Sequence, residues 1–101
     1  MKEIKLKDKV KIFKALGHPS RLFIVETLNN RGELCVCEIT DLLGYDISTI
    51  SKHLNVLKSA GLVKSEKRGN MVMYESLVPC LADFLGCFST LDESAKPEEN
   101  T

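Results

Sequence analysis

The sequence predicts a mainly α-helical domain carrying one β-hairpin, and three observations lead there. Apolar residues recur at helical spacing in several short segments separated by glycines. The period then changes to that of strands across residues 62–77. Aspartate, proline and glycine stand at the positions where helices begin and end. One hundred and one residues suit a single domain with a small core, which a second copy can extend. That domain is expected over residues 1–92, followed by a disordered acidic tail over 93–101, "ESAKPEENT", which is polar and contains proline.

The first helix is expected from about Lys7 to Leu16, with Val10, Phe13 and Leu16 or Gly17 at helical spacing and Gly17 as a stop. Pro19 then fits the first position of a second helix, where its missing N–H costs nothing. Leu22, Val25 and Leu28 line one face, and "NNRGE" ends it. A third, short helix covers roughly Cys37 to Leu43, with Ile39, Leu42 and Leu43 apolar and Gly44 as terminator. After "GYD" a fourth helix begins. Asp46 is a good N-cap and places an anion at the positive end of the helix dipole. Ile47, Ile50, Leu54 and Leu57 are expected to form its buried stripe, and Gly61 its left-handed end. "LVKSEKRGNMVMYESL" places apolar residues around a polar "KRGN", the pattern of a hairpin. A last helix starts near Pro79 with Leu81, Phe84, Leu85, Phe88 and Leu91 as a wide apolar stripe, broad enough to cover the core and meet a partner.

The formal charge is zero, but its distribution is uneven. Residues 1–14 hold six lysines against Glu3 and Asp8, residues 52–68 hold Lys52, Lys58, Lys64, Lys67 and Arg68 against Glu66, and residues 69–101 hold six acids against Lys96. Local basic patches can act on a polyanion without a basic total. Two helices joined by a short glycine-containing turn and followed at once by a basic hairpin suit DNA. The second helix enters the major groove, and a short basic tip, here Lys67, Arg68, Gly69 and Asn70, lies over the backbone or minor groove. No catalytic dyad, phosphate loop or apolar run of bilayer length is present, so an enzyme or a membrane protein is not expected. The N-terminus lacks the continuous apolar stretch of a signal peptide, which points to the cytoplasm. There, the four cysteines are expected to be metal-binding, redox-active or free.

"LGHPSRLFIVETL", "GELCVCEI" and "ISTISKHLNVLKSAGLVKSEKRGNMVMYES" together resemble the ArsR/SmtB family of winged-helix metalloregulators, over about residues 8–92. The resemblance implies a winged helix-turn-helix fold and a homodimer built from the first and last helices. It also implies repression through a double-stranded palindromic operator. By it Ser48, Thr49, Ser51, Lys52 and His53 read the groove, and Arg68 and Asn70 belong to the wing.

Cys35 and Cys37 pose a geometric question. Residues i and i+2 of a regular helix point to different sides, so the two converge only where the chain is entering the helix. A helix N-terminus also favours the thiolate, the form that binds soft ions. "ELCVCEI" is similar to the family's arsenite-binding segment, which continues to a third cysteine where this chain has Thr40. The resemblance thus implies As(III) or Sb(III) as inducer, with no catalytic cofactor. A third ligand would come from Cys80 or Cys87, too far apart along one helix for both to hold the same ion. The alternative is a thiol redox or persulfide sensor on the same fold, since a Cys-x-Cys disulfide is easily reduced. His18, before Pro19, is expected at a helix start rather than on a metal.

Overall fold

A computed structural model describes residues 3–90. Its elements are α1 (Leu6–Leu16), α2 (Pro19–Arg31), β1 (Leu34–Cys35), α3 (Val36–Leu43), α4 (Ile47–Ser59), β2 (Val63–Arg68), β3 (Met71–Ser76) and α5 (Leu81–Gly86), the last running into a 3-10 turn at Cys87–Thr90. The expected acidic tail and Leu91 lie outside the described residues. Among the described residues no helix is long and apolar enough to cross a membrane.

The helix boundaries follow from local chemistry. Pro19 occupies the first turn of α2, and His18 caps it, its Nδ1 accepting the Ser20 N–H at 3.1 Å. Asp46 caps α4 by accepting the Thr49 N–H at 2.7 Å. Gly44 ends α3 in the left-handed conformation (φ 75°), which a residue with a Cβ resists, and its N–H bonds the Thr40 carbonyl. This leaves only Gly44, Tyr45 and Asp46 between α3 and α4.

The core gathers Ile24, Val25 and Leu28 of α2, Ile39 of α3, Ile50, Leu54 and Leu57 of α4, and Leu62, Val63, Tyr74 and Leu81 from the elements beyond. Ile39 is the one fully buried residue of α3, and Val36 and Leu43 pack partly buried against the same core. Ile47 departs from the stripe expected on α4. It is 60% exposed, because the first turn of α4 projects beyond the core toward the hairpin. Val10 and Phe13 of α1 are likewise exposed, whereas Leu16 of the same expected spacing faces inward with Ile12 and Ala15.

The sheet differs most from expectation. The hairpin β2–β3 pairs antiparallel from Val63↔Ser76 to Arg68↔Met71, and Gly69 opens its two-residue loop at φ 61°. A third strand, β1, adds to the other edge of β3, with Leu34 opposite Tyr74 and Cys35 opposite Met73. Two residues are too few to leave a periodic signal. Yet they tie the segment before α3 directly into the hairpin.

Candidate sensor and nucleic-acid surface

Cys35 is where β1 ends and α3 begins. Its backbone is extended (φ −81°, ψ 162°), and its Sγ caps α3 by accepting the Glu38 N–H at 3.4 Å. The Glu38 carboxylate accepts the Cys35 N–H in return at 3.0 Å. The result is a capping box with sulfur in place of the usual hydroxyl. Cys37 follows in the first turn. The extended backbone at Cys35 lets the two side chains converge, and they are joined as a disulfide with Cα atoms 5.4 Å apart. Cys35 is buried while Cys37 is exposed, so the pair is reached from the Cys37 side.

The pair opens on a cavity of about 290 Å³ lined also by Val36, by Ile47 and Ser51 of α4, and by Asn70, Met71 and Val72 of the hairpin. The sulfurs, the start of α4 and the hairpin therefore share one space. Two further ties run to the hairpin. Arg68 at its tip pairs with Glu33, two residues before Cys35, and with Glu66 at 3.2 Å. Lys58 near the end of α4 donates to the Ser65 hydroxyl at 2.8 Å.

The other cysteines stand apart from this pair. Cys80 lines a separate apolar cavity with Ile12, Phe13, Leu16 and Phe84. Cys87 opens the 3-10 turn, so the single regular helix expected to carry both breaks between them. Among the described residues no three His, Cys, Asp or Glu side chains converge as a metal site. The third ligand expected from Cys80 or Cys87 is therefore not assembled within the protomer.

The residues expected on DNA divide by environment. Ser48, Lys52, Lys67 and Asn70 are exposed. Ser48 also donates to Asp46 Oδ1 at 2.9 Å. Together with the Thr49 N–H, which contributes most, this holds the Asp46 carboxyl below its ordinary range. Thr49 and Ser51 are half-buried, and Ser51 turns to the cysteine cavity.

His53 is half-buried. Its ring packs on His18 with centroids 4.5 Å apart, on the flank of α4 next to Ile50 and away from the outward row. Burial, followed by the neighbouring His18 and Arg21, holds its pKa below the ordinary histidine value. Arg68 lies at the hairpin tip. It is exposed, but its guanidinium is engaged by Glu66 and Glu33, which hold it firmly cationic.

Sequence reasoning missed Glu38 and Glu33. The spacing Cys35-x-x-Glu38 before an apolar run is a capping signature with an unusual first residue, so Glu38 was findable. Glu33 was not, because its partner is 35 residues away.

A helix pair across a three-residue turn, an outward polar row on the second helix and a hairpin wing behind it define a winged helix-turn-helix DNA-binding regulator, not an enzyme. Residues 18–65 match the family described as "Bacterial regulatory protein, arsR family". An HTH-type transcriptional regulator of Methanocaldococcus jannaschii, itself uncharacterised, is 47% identical over 69% of this chain and 79% of its own length. The chain belongs to the arsR family.

A cadmium resistance regulatory protein CadC homolog of Staphylococcus aureus and the arsenical resistance operon repressor of Escherichia coli are each 40% identical, over 66% and 64% of this chain. The chain spans only about half the length of each, 55% and 56%. Among solved structures, HlyU of Vibrio cholerae matches with a TM-score of 0.73 and 28% identity over 84% of this chain and 95% of its own. A homodimeric winged helix-turn-helix DNA-binding domain of Mycobacterium bovis matches with a TM-score of 0.73 and 26% identity, over 93% and 90%.

Proposed function

We propose that this chain is a homodimeric cytoplasmic repressor that leaves a palindromic operator when As(III) or Sb(III) binds the thiolates of Cys35 and Cys37. One observation carries the reading: the two sulfurs converge in a cavity whose other walls are the start of α4 and the hairpin. The reduced dithiol condenses with arsenous acid, forming two S–As bonds and releasing two waters, and a hydroxide keeps the third position. An ion there occupies the space between Cys37, Ile47 and Asn70. It pushes the reading helix and the wing apart, or draws α3 away from both. The β1–β3 ladder carries the same displacement to the hairpin.

Dimerisation rests on Leu6, Val10 and Phe13 of α1 and on Phe84 and Phe88, all exposed. Their rings form one aromatic row, Phe13 on Phe84 at 6.1 Å and Phe84 on Phe88 at 5.4 Å. Two copies place two reading helices about one DNA turn apart, which a palindrome matches. Ser48, Thr49, Ser51 and Lys52 then serve the groove, and Lys67, Arg68 and Asn70 the flanking backbone.

The redox alternative has its own support, since Cys35 and Cys37 form a disulfide. In that reading a peroxide takes two electrons from the dithiol, giving the disulfide and two waters, and the oxidised form releases DNA.

The deciding experiment is fluorescence anisotropy on an operator selected from random sequence. As(III), Sb(III), Zn(II), Cd(II) and peroxide are titrated in parallel into reduced protein. The cadmium arm answers to the cadmium-resistance relatives. A 100-fold loss of affinity on arsenite, which needs about 2.7 kcal/mol of coupling, supports the reading. Cys37→Ser abolishes that response, and the Cys80→Ser, Cys87→Ser double variant keeps it. Operator affinity that arsenite leaves unchanged removes the metalloid mechanism, and response to peroxide alone selects the redox one.

A further inference from the structure

We propose that a cavity between α1, α2 and α4 is a second DNA-phosphate site, which extends the footprint from the reading helix onto the backbone beside it. The inference rests on the family's binding of DNA and concerns residues outside the hairpin and the first turns of α4.

The observation begins with α1. Lys7, Lys11 and Lys14 are spaced four and three residues apart, so they form one stripe, and all are exposed. This stripe is distinct from the inward face, Ile12, Ala15 and Leu16, and from the exposed apolar face, Leu6, Val10 and Phe13. Two of its members, Lys11 and Lys14, line a cavity of about 400 Å³ together with Arg21, Asn55 and Ser59. No carboxylate is among the lining residues. Arg21 is held there by geometry. Its Nε donates to the Ala15 carbonyl at 2.6 Å and one terminal nitrogen to the Lys14 carbonyl at 3.3 Å, closing the end of α1 and fixing a cation at the cavity wall.

The α4 side supplies continuity. Ser48, Lys52, Asn55 and Ser59 are spaced by four, three and four and are all exposed, so they form a single outward row. That row starts at the reading end of α4 and runs into the cavity, a rise of about 16 Å. A helix seated in a major groove roughly 12 Å wide is flanked by phosphate walls. Three cations with an amide and a hydroxyl, set beside such a helix with no carboxylate in the cavity lining, suit the phosphodiester oxygens of that wall. They also give a role to two of the six lysines of residues 1–14 in a chain whose formal charge is zero.

Each phosphate neutralised contributes about 0.9 to the slope of log affinity against log salt, whatever the base sequence. The test therefore uses a labelled random-sequence duplex of about 30 base pairs and reduced full-length protein, titrated from 50 to 300 mM KCl. Lys11→Gln with Lys14→Gln lowers the slope by about 1.8 for each protomer bound. Lys11→Arg with Lys14→Arg keeps the charge and restores it, which separates charge from any effect on folding. An unchanged slope in the glutamine variant overturns the proposal. So does saturation of Lys11 and Lys14 by inorganic phosphate or triphosphate at submillimolar concentration with no change in the DNA slope, which makes the cavity a small-anion site. Failure of the wild-type protein to bind any duplex would instead strike the repressor reading itself.

Discussion

Replacing Ile39 by alanine tests whether α3 transmits the event at the cysteines. Ile39 is 2% exposed and is the only fully buried side chain α3 contributes. The change deletes three carbons, about 2.4 kcal/mol at ~0.8 kcal/mol for each buried methylene. Incomplete collapse of the cavity brings the total to about 3 kcal/mol, inside the range of roughly 2–5 kcal/mol for Ile→Ala. A domain of this size has on the order of 5–15 kcal/mol to lose, so the variant folds. Urea unfolding at fixed protein concentration reads the loss, and a melting temperature roughly 12–24 °C lower accompanies it. The reading helix keeps its own anchors, Ile50, Leu54 and Leu57, each fully buried. At a temperature where circular dichroism shows the variant folded, its DNA affinity without inducer therefore stays within about threefold of wild type. Its response to arsenite falls, because α3 moves without taking α4 along. A loss below 1 kcal/mol would show that α3 is not anchored as described. A loss of the expected size, about 3 kcal/mol, with an intact arsenite response would show that the signal travels by the β1–β3 ladder alone.

Two predictions concern pH. The hydrogen bonds from Thr49 and Ser48 depress the Asp46 carboxyl. Its contribution is therefore present above the unfolded value and lost as pH falls through the lower folded one. The stability gap between wild type and Asp46→Ala accordingly closes below about pH 4, and a gap constant down to pH 2.5 contradicts the cap. His53 is depressed by burial, His18 and Arg21, so the unfolded chain holds the extra proton first as pH drops below about 6.5. Stability is complete above that pH and declines beneath it. His53→Gln flattens the decline between pH 7.5 and 5, and an unaltered pH profile in the variant refutes the assignment.

Much of the reading scaffold was legible because it is written in local chemistry. Pro19 marks a helix start by its missing N–H, Gly44 and Asp46 mark boundaries through bonds to residues at most four positions away, and the spacing of four and three in Ile50, Leu54 and Leu57 announces a buried face. The convergence of Cys35 and Cys37 also followed from a local rule, that only a chain entering a helix brings i and i+2 together. What escaped depends on distance. β1 has two residues and exists only because β3 offers an edge. Ile47 obeys the periodicity of its helix, yet the first turn projects past the core, so spacing alone assigned it wrongly. The packing of His53 on His18 likewise depends on the approach of α2 to α4, which no local pattern announces.

Sulfur is an indifferent helix cap, and this has a consequence for how the molecule can vary. The Sγ of Cys35 does a job that serine or aspartate does at least as well. Under the metalloid mechanism proposed above, exchange of that one atom keeps the cap and removes one of the two thiolates. Such a descendant would retain the architecture and no longer be released by the inducer. In that mechanism sensitivity is a detachable attribute of the scaffold, lost without injury to the fold and regained by restoring one thiol.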